Sequence, residues 1–369
     1  MARHRSSAWP LAWLYMGLIA YASLYPFAGW RWPAVSPWSF LMLPWPRYWT
    51  AFDLVSNLLG YLPLGLLILA ALVRTGHSSG GSFLRAVLAA ATVSLAMELV
   101  QNGLPSRVPS NVDWALNTTG AAGGALLGLL MRAVGLLDRW QRLRDRWFVD
   151  RSSGGLTLLL LWPTGLLFPM ALPFGVGQVL SRLQETVAGW LDQTPLADWS
   201  RNILEAQWFG PGLPPAGEFC AIALGLIAPC LLGFTICRSG WRRSVMVAGI
   251  ASAGVAATTL STALNFGPDH AMAWLSSTAM AGLSAGILAS LLLAWVPRRA
   301  MSALGLMALT ALVSLMSQAS EDVYFAQSLQ AWEQGRFIRF HGAAQWVGWL
   351  WPYAAMGYLL GRIAARDAD

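Results

Sequence analysis

Lysine is missing from this chain; all 24 basic residues among its 369 are arginine. That excludes Schiff-base chemistry, a lysine nucleophile and any phosphate-binding glycine loop that ends in lysine. Charge of either sign is also scarce, at 11% of residues against about 25% in soluble domains. With 56% hydrophobic residues and a mean hydropathy of +0.51, a water-solvated domain is excluded and the chain reads as an integral membrane protein. Cysteine is limited to Cys220, Cys230 and Cys237, without the paired spacing of a zinc site or a disulfide framework. All three read as small buried residues. The four histidines are scattered, and Ser, His and Asp fall in no triad order, so neither zinc nor a serine-hydrolase site is expected.

What is present is apolar length. A helix needs about 20 apolar residues to cross the hydrocarbon core. Ten such stretches begin near Trp9, Asp53, Phe83, Asp113, Leu156, Glu218, Ser244, His270, Met301 and Ala343. The net charge of +7 is judged by its distribution along the chain, since cytoplasmic loops collect arginine. With the amino terminus inside, only Arg31, Arg47, Arg107, Arg182, Arg201, Arg336 and Arg339 fall outside, and the others fall inside. The expectation is an all-α, polytopic helical membrane protein with about ten transmembrane helices, both termini cytoplasmic, in a bacterial inner membrane. No nucleic-acid partner is expected. The first span has the outline of a signal peptide, but Tyr25, Pro26, Phe27, Trp30 and Trp32 after it read as the interfacial end of a retained helix.

An arginine-rich stretch, 136–155, separates a module at 1–135 from a second at 156–369. Trp140, Trp147 and Leu143 among its arginines suit a helix lying on an anionic leaflet, or a plain stop signal and linker. The second module is either a degenerate repeat of the first or an unrelated set of apolar helices. Asp53–Gly65 can be laid over Glu218–Gly233, and Trp114–Gly128 over Trp274–Leu288, but Ile222 then stands for Asn57 and Ala273 for Asp113. Aromatic residues in the loop 178–217 fit a membrane belt, with a carbohydrate platform as the alternative. Acids and arginines at 321–339 fit a cap over the first module or a solvated helix.

The polar residues of the first module carry the functional question. At a rise of about 1.5 Å per residue, Asp53 stands at the outer mouth of the second span with Asn57 one turn deeper. Glu98 and Gln101 share a face near the outer end of the third span. Arg107 lies in the short loop that follows, and Asp113 and Asn117 share a face at the start of the fourth. Three adjacent helices thus bring acids and amides to one level, where an unpaired polar group is costly. Gly120 and Gly124 form a small-xxx-small pair, and Pro63 falls inside the second span.

These pieces resemble the VanZ-like family of membrane proteins. The resemblance runs over about residues 15–135, through Tyr21-Ala-Ser-Leu-Tyr-Pro-Phe27, Asn57-Leu-Leu-Gly-Tyr-Leu-Pro-Leu-Gly65, Glu98-Leu-Val-Gln101, Arg107, and Asp113-Trp-Ala-Leu-Asn117-Thr-Thr-Gly120. A stretch from Gln334 to Gly342 and then Trp349-Leu-Trp-Pro352 looks similar to the tail of longer members. The resemblance implies a role in the cell envelope and a link to antibiotic resistance, without naming a reaction.

Three readings of the cluster follow. As a binding site, Asp53, Asn57, Gln101, Arg107 and Asn117 hold a membrane lipid, such as a polyprenyl-phosphate-linked or other envelope glycan intermediate, with Arg107 gripping the phosphate. As a catalytic site, Glu98 or Asp113 acts as general acid or base, and Glu98 is the stronger candidate because its surroundings are more apolar. As a scaffold, the same groups only hold helices together. Asp53, Glu98 and Asp113 suggest a hard divalent cation as a further alternative, but neither a metal nor an organic cofactor is expected.

Overall fold

The computed structural model describes residues 8–25, 27–33, 36–45, 51–179, 213–319 and 338–365, with a few more between 187 and 198. Most of the stretches 321–339 and 178–217 therefore fall outside the described residues, as does the side chain of Asp53. The described chain is helical and contains no strand; one isolated bridge joins Phe148 to Cys237. It divides into two compact units, residues 1–146 and 147–369.

The first unit contains α1 (Ala8–Leu24), α2 (Ala51–Arg74), α3 (Ser79–Gln101), α4 (Asn111–Ala133) and α5 (Leu136–Trp147). Ser78 caps α3 by accepting the N–H of Gly81, and Ser110 caps α4 by accepting the N–H of Asp113. Each hydroxyl satisfies an N–H that the first turn leaves without a partner. Asp113, in the first turn of α4, also suits the positive end of the helix dipole. Gly135, at φ +70°, lets the backbone turn by 73° between α4 and α5.

Among the described residues, α2 and α4 form the most extensive helix pairing because glycine removes the side chains between them. A methyl group on Gly120 would overlap the backbone of Leu58, one on Gly124 that of Leu62, and one on Gly65 that of Ala121. The expected small-xxx-small pair is therefore a backbone-to-backbone contact. Pro63 sits within an unbroken α2, and three residues earlier the Tyr15 hydroxyl donates to the carbonyl of Gly60 at 2.9 Å, tying α1 to α2.

The second unit contains α6 (Ser153–Gly165), α7 (Pro215–Ile236), α8 (Trp241–Phe266), α9 (Ser277–Leu293), α10 (Arg298–Met316) and α11 (Ile338–Ala364). α7 is central: 78% of its apolar window is buried, and it packs on α9 and α10. Arg243 is buried at 1% exposure and donates to the carbonyls of Ala294, Val296 and Phe234, joining the ends of α9 and α7. Cys230 and Cys237 are buried, but Cys220 is exposed, so the expectation of three buried thiols is corrected. The cause is its place in the second turn of α7, short of the part of that helix that its neighbours enclose.

A helix occupies each of the ten apolar positions read from the sequence. Among the described residues four are long and apolar enough to span a bilayer: Leu54–Arg74, Ser79–Gln101, Pro215–Ile236 and Trp241–Phe266. The bent pair α4 and α5 makes a fifth if it counts as one span; Ala8–Leu24, Ser277–Leu293 and Ala300–Met316 are apolar but shorter. Val55, Leu59, Leu84, Leu88, Leu126 and Leu130 are each more than half exposed on α2, α3 and α4. An outward apolar surface of this kind suits lipid and not water, so the chain is a multi-pass, all-helical membrane protein.

Candidate functional site

The polar groups of the first unit meet where α1 and α3 end and α2 and α4 begin. Glu98, in the last turn and a half of α3, is only 4% exposed, and its Oε2 accepts the backbone N–H of Ser110 at 2.9 Å. Ser110 is also the cap of α4, so one carboxylate holds the loop between α3 and α4 to the helix it leaves. Asp113, a few residues into α4, is close enough to act on Glu98 electrostatically. Two acids at one level are what the sequence spacing implied.

One turn deeper, Asn117 on α4 donates from Nδ2 to Ser94 Oγ on α3 at 2.9 Å. Asn117 is 6% exposed and Ser94 is fully buried. Tyr61 on α2, also buried, brings its hydroxyl to Ser94, which gathers α2, α3 and α4 around one serine. The other amide atom, Asn117 Oδ1, is buried without a hydrogen-bond partner. Ser94, Ser110 and Tyr61 were not among the residues singled out by sequence. Ser94 was within reach of that reading, since it lies four residues before Glu98 and so one turn below it on the same face.

Gln101 and Arg107 turn the other way, toward the end of α1. Gln101 Nε2 donates to the carbonyl of Ser23 at 2.9 Å, and Arg107 Nη2 donates to those of Ala22 at 3.1 Å and Tyr25 at 2.8 Å. The last carbonyls of a helix lack intrahelical partners and form the negative end of its dipole. A guanidinium and an amide fulfil both needs there. Nearby, Arg31 N–H donates to Gly103 O at 2.8 Å, and Asn102 Nδ2 donates to Pro37 O at 3.2 Å, so the loop after α1 is bound to the end of α3. Trp114 Nε1 donates to Ala91 O at 3.0 Å and fixes α4 against α3.

The structure thus brings Glu98, Asp113 and Asn117 to one place and sets Gln101 and Arg107 at the end of α1. Asn57 is half-buried on α2, and its side chain takes part in no hydrogen bond among the described residues. Among the described residues no three of His, Cys, Asp and Glu come together as metal ligands would. What the cluster offers is a buried acid, a second acid beside it and an amide oxygen with spare accepting capacity, inside an apolar bundle.

No curated protein and no solved structure matches the chain. Residues 7–132, which contain all of this cluster, match the family model described as VanZ/LLP1, so the N-terminal unit of this chain is similar to a VanZ-like domain.

Proposed function

We propose that this protein is a ten-span protein of the bacterial inner membrane, with both termini in the cytoplasm, whose VanZ-like unit binds an envelope lipid or lipid-linked glycan through an outward-facing polar site. One observation carries the reading. Glu98 and the partnerless Oδ1 of Asn117 are buried polar groups on adjacent helices that are otherwise apolar. Ionisable residues placed at such cost within membrane helices mark binding sites and pathways more often than packing. Glu98 and Asp113 accept hydrogen bonds from hydroxyls of the ligand's head, whose phosphate lies away from the acid pair. Gln101 and Arg107 position the end of α1 beside them, and Asn117 supplies an acceptor. Asn57, on α2, completes the wall. If the site turns its ligand over, Glu98 and Asp113 are the acid and base.

Native mass spectrometry of the purified protein in gentle detergent tests this. A polyprenyl-phosphate or related lipid adduct on the wild type, lost in well-folded Glu98→Gln, is the expected result. No specific adduct on the wild type overturns it.

A second reading, an assembly protein whose polar network only joins helices, is favoured by the commitment of Gln101 and Arg107 to the carbonyls of α1. It predicts that Glu98→Gln lowers the amount of folded protein in step with any loss of function.

A further inference from the structure

The second unit holds a cavity of about 570 Å³ that the N-terminal site does not account for. Its place in its own unit corresponds to that of the Glu98 cluster in the first. It lies between the segment after α6, the start of α7, the end of α8 and the approach to α9.

Three local features repeat between the units. Phe27 and Phe174, each preceded by proline and each following the first helix of its unit, adopt the left-handed conformation at φ 61° and 64°. Gly120 and Gly124 lie against the carbonyls of Leu58 and Leu62. Gly282 and Gly286, four apart in the same way, would place a Cβ 3.0 Å from those of Phe219 and Ala223. Trp114 and Trp274 each donate their indole N–H to the third helix of their unit, to Ala91 O and to Thr259 Oγ1. A diverged copy of one four-helix plan accounts for all three.

The polar lining has been rebuilt rather than emptied. Among the described residues, Glu218, in the first turn of α7, is the one carboxylate that lines the cavity, and no arginine lines it. His270 stands exposed at its rim. Phe174, Trp274 and Phe266 supply aromatic faces, and Phe174 and Trp274 are in ring contact at 6.0 Å. Thr258 is nine-tenths buried in the lining, and its hydroxyl has no hydrogen-bond partner. A buried hydroxyl in that state costs free energy that a ligand hydrogen bond recovers.

We infer that this cavity binds a primary ammonium group carried on an apolar body. The carboxylate supplies the counter-charge, the aromatic faces attract the cation, Thr258 Oγ1 accepts an ammonium N–H, and the apolar walls take the tail. A phosphate or other anion meets the Glu218 carboxylate, which disfavours it. The inference rests on the second unit alone.

Equilibrium dialysis of radiolabelled decylammonium against the full-length protein in excess maltoside detergent tests it. One saturable site is expected, displaced by unlabelled decylammonium and neither by decanol nor by decyl phosphate. Glu218→Gln should weaken binding by about tenfold or more, the loss of a charge-assisted contact. Thr258→Val should weaken it by roughly threefold through the lost acceptor. Trp274→Leu is the second variant should Glu218→Gln fail to fold, with a loss of about threefold or more from the missing ring. Absence of a saturable site in the wild type, equal displacement by decanol or decyl phosphate, or unchanged binding in folded Glu218→Gln overturns the inference.

Discussion

Glu98 on α3 receives the backbone N–H of Ser110 at 2.9 Å, and the same Ser110 caps α4 through its side chain. The carboxylate therefore stands at the joint between two helices, with Asp113 within electrostatic reach. Position and chemistry can be separated by substitution. Glu98→Gln keeps an oxygen for Ser110 N–H and loses the charge; Glu98→Ala leaves that N–H unsatisfied in a buried place. Thermal unfolding in detergent should show little change for the glutamine variant and a loss of about 1–3 kcal/mol for the alanine variant. Equal losses for both would mean that the charge itself holds the joint.

Arg107 reaches two carbonyls at the end of α1, and Gln101 reaches a third. Arg107→Gln should therefore release the end of α1 before it disturbs α3 or α4. Hydrogen exchange is expected to rise over Ser23 to Phe27, and stability to fall by about 1.5–3 kcal/mol, the range for hydrogen bonds to a charged group. Unchanged exchange there, with a loss of ligand adducts, would return Arg107 to direct ligand contact.

The α2 and α4 contact gives a prediction with an internal control. A methyl group on Gly124 would overlap the backbone of Leu62, and one on Gly123, the preceding residue, meets nothing within 4 Å. Gly124→Ala should cost about 1–3 kcal/mol from forced separation of the helices. Gly123→Ala should be neutral or slightly stabilising, since alanine is the better helix former. Folded protein recovered from membranes, measured for both variants side by side, decides it; equal recovery would count against the tight pairing.

Much of this was legible in the sequence because helix periodicity sets both packing and depth. The i and i+4 spacing of Gly120 and Gly124 identified the tight contact, and the order of Glu98, Asp113 and Asn117 along α3 and α4 placed them at one level. The partners of those groups were hidden. Arg107 reads as a phosphate ligand from its residue type, yet its Nη2 serves carbonyls, and a carbonyl leaves no mark in a sequence. Ser94 and Ser110 act through one hydroxyl and one backbone N–H, which composition does not distinguish from ordinary small residues. In the second unit, matching polar residue against polar residue suggested a lost site. The features the two units have in common are instead a phenylalanine in the left-handed conformation, a glycine pair and an indole hydrogen bond.

The thiols test the local environment of α7 and the proposed orientation together. Cys220 is exposed near the start of α7, Cys230 is buried, and Cys237 is buried just beyond its end, where burial pushes its thiol up and leaves less of the reactive thiolate. A maleimide should label Cys220 in the folded protein and reach Cys230 and Cys237 only after unfolding. With α7 entering from the outer side, a membrane-impermeant maleimide added to spheroplasts should already label Cys220. Labelling only after the membrane is opened would reverse the orientation of this helix, and the ten-span arrangement with both termini inside would fall with it. Labelling of Cys230 or Cys237 before Cys220 in folded protein would contradict the burial of α7 itself.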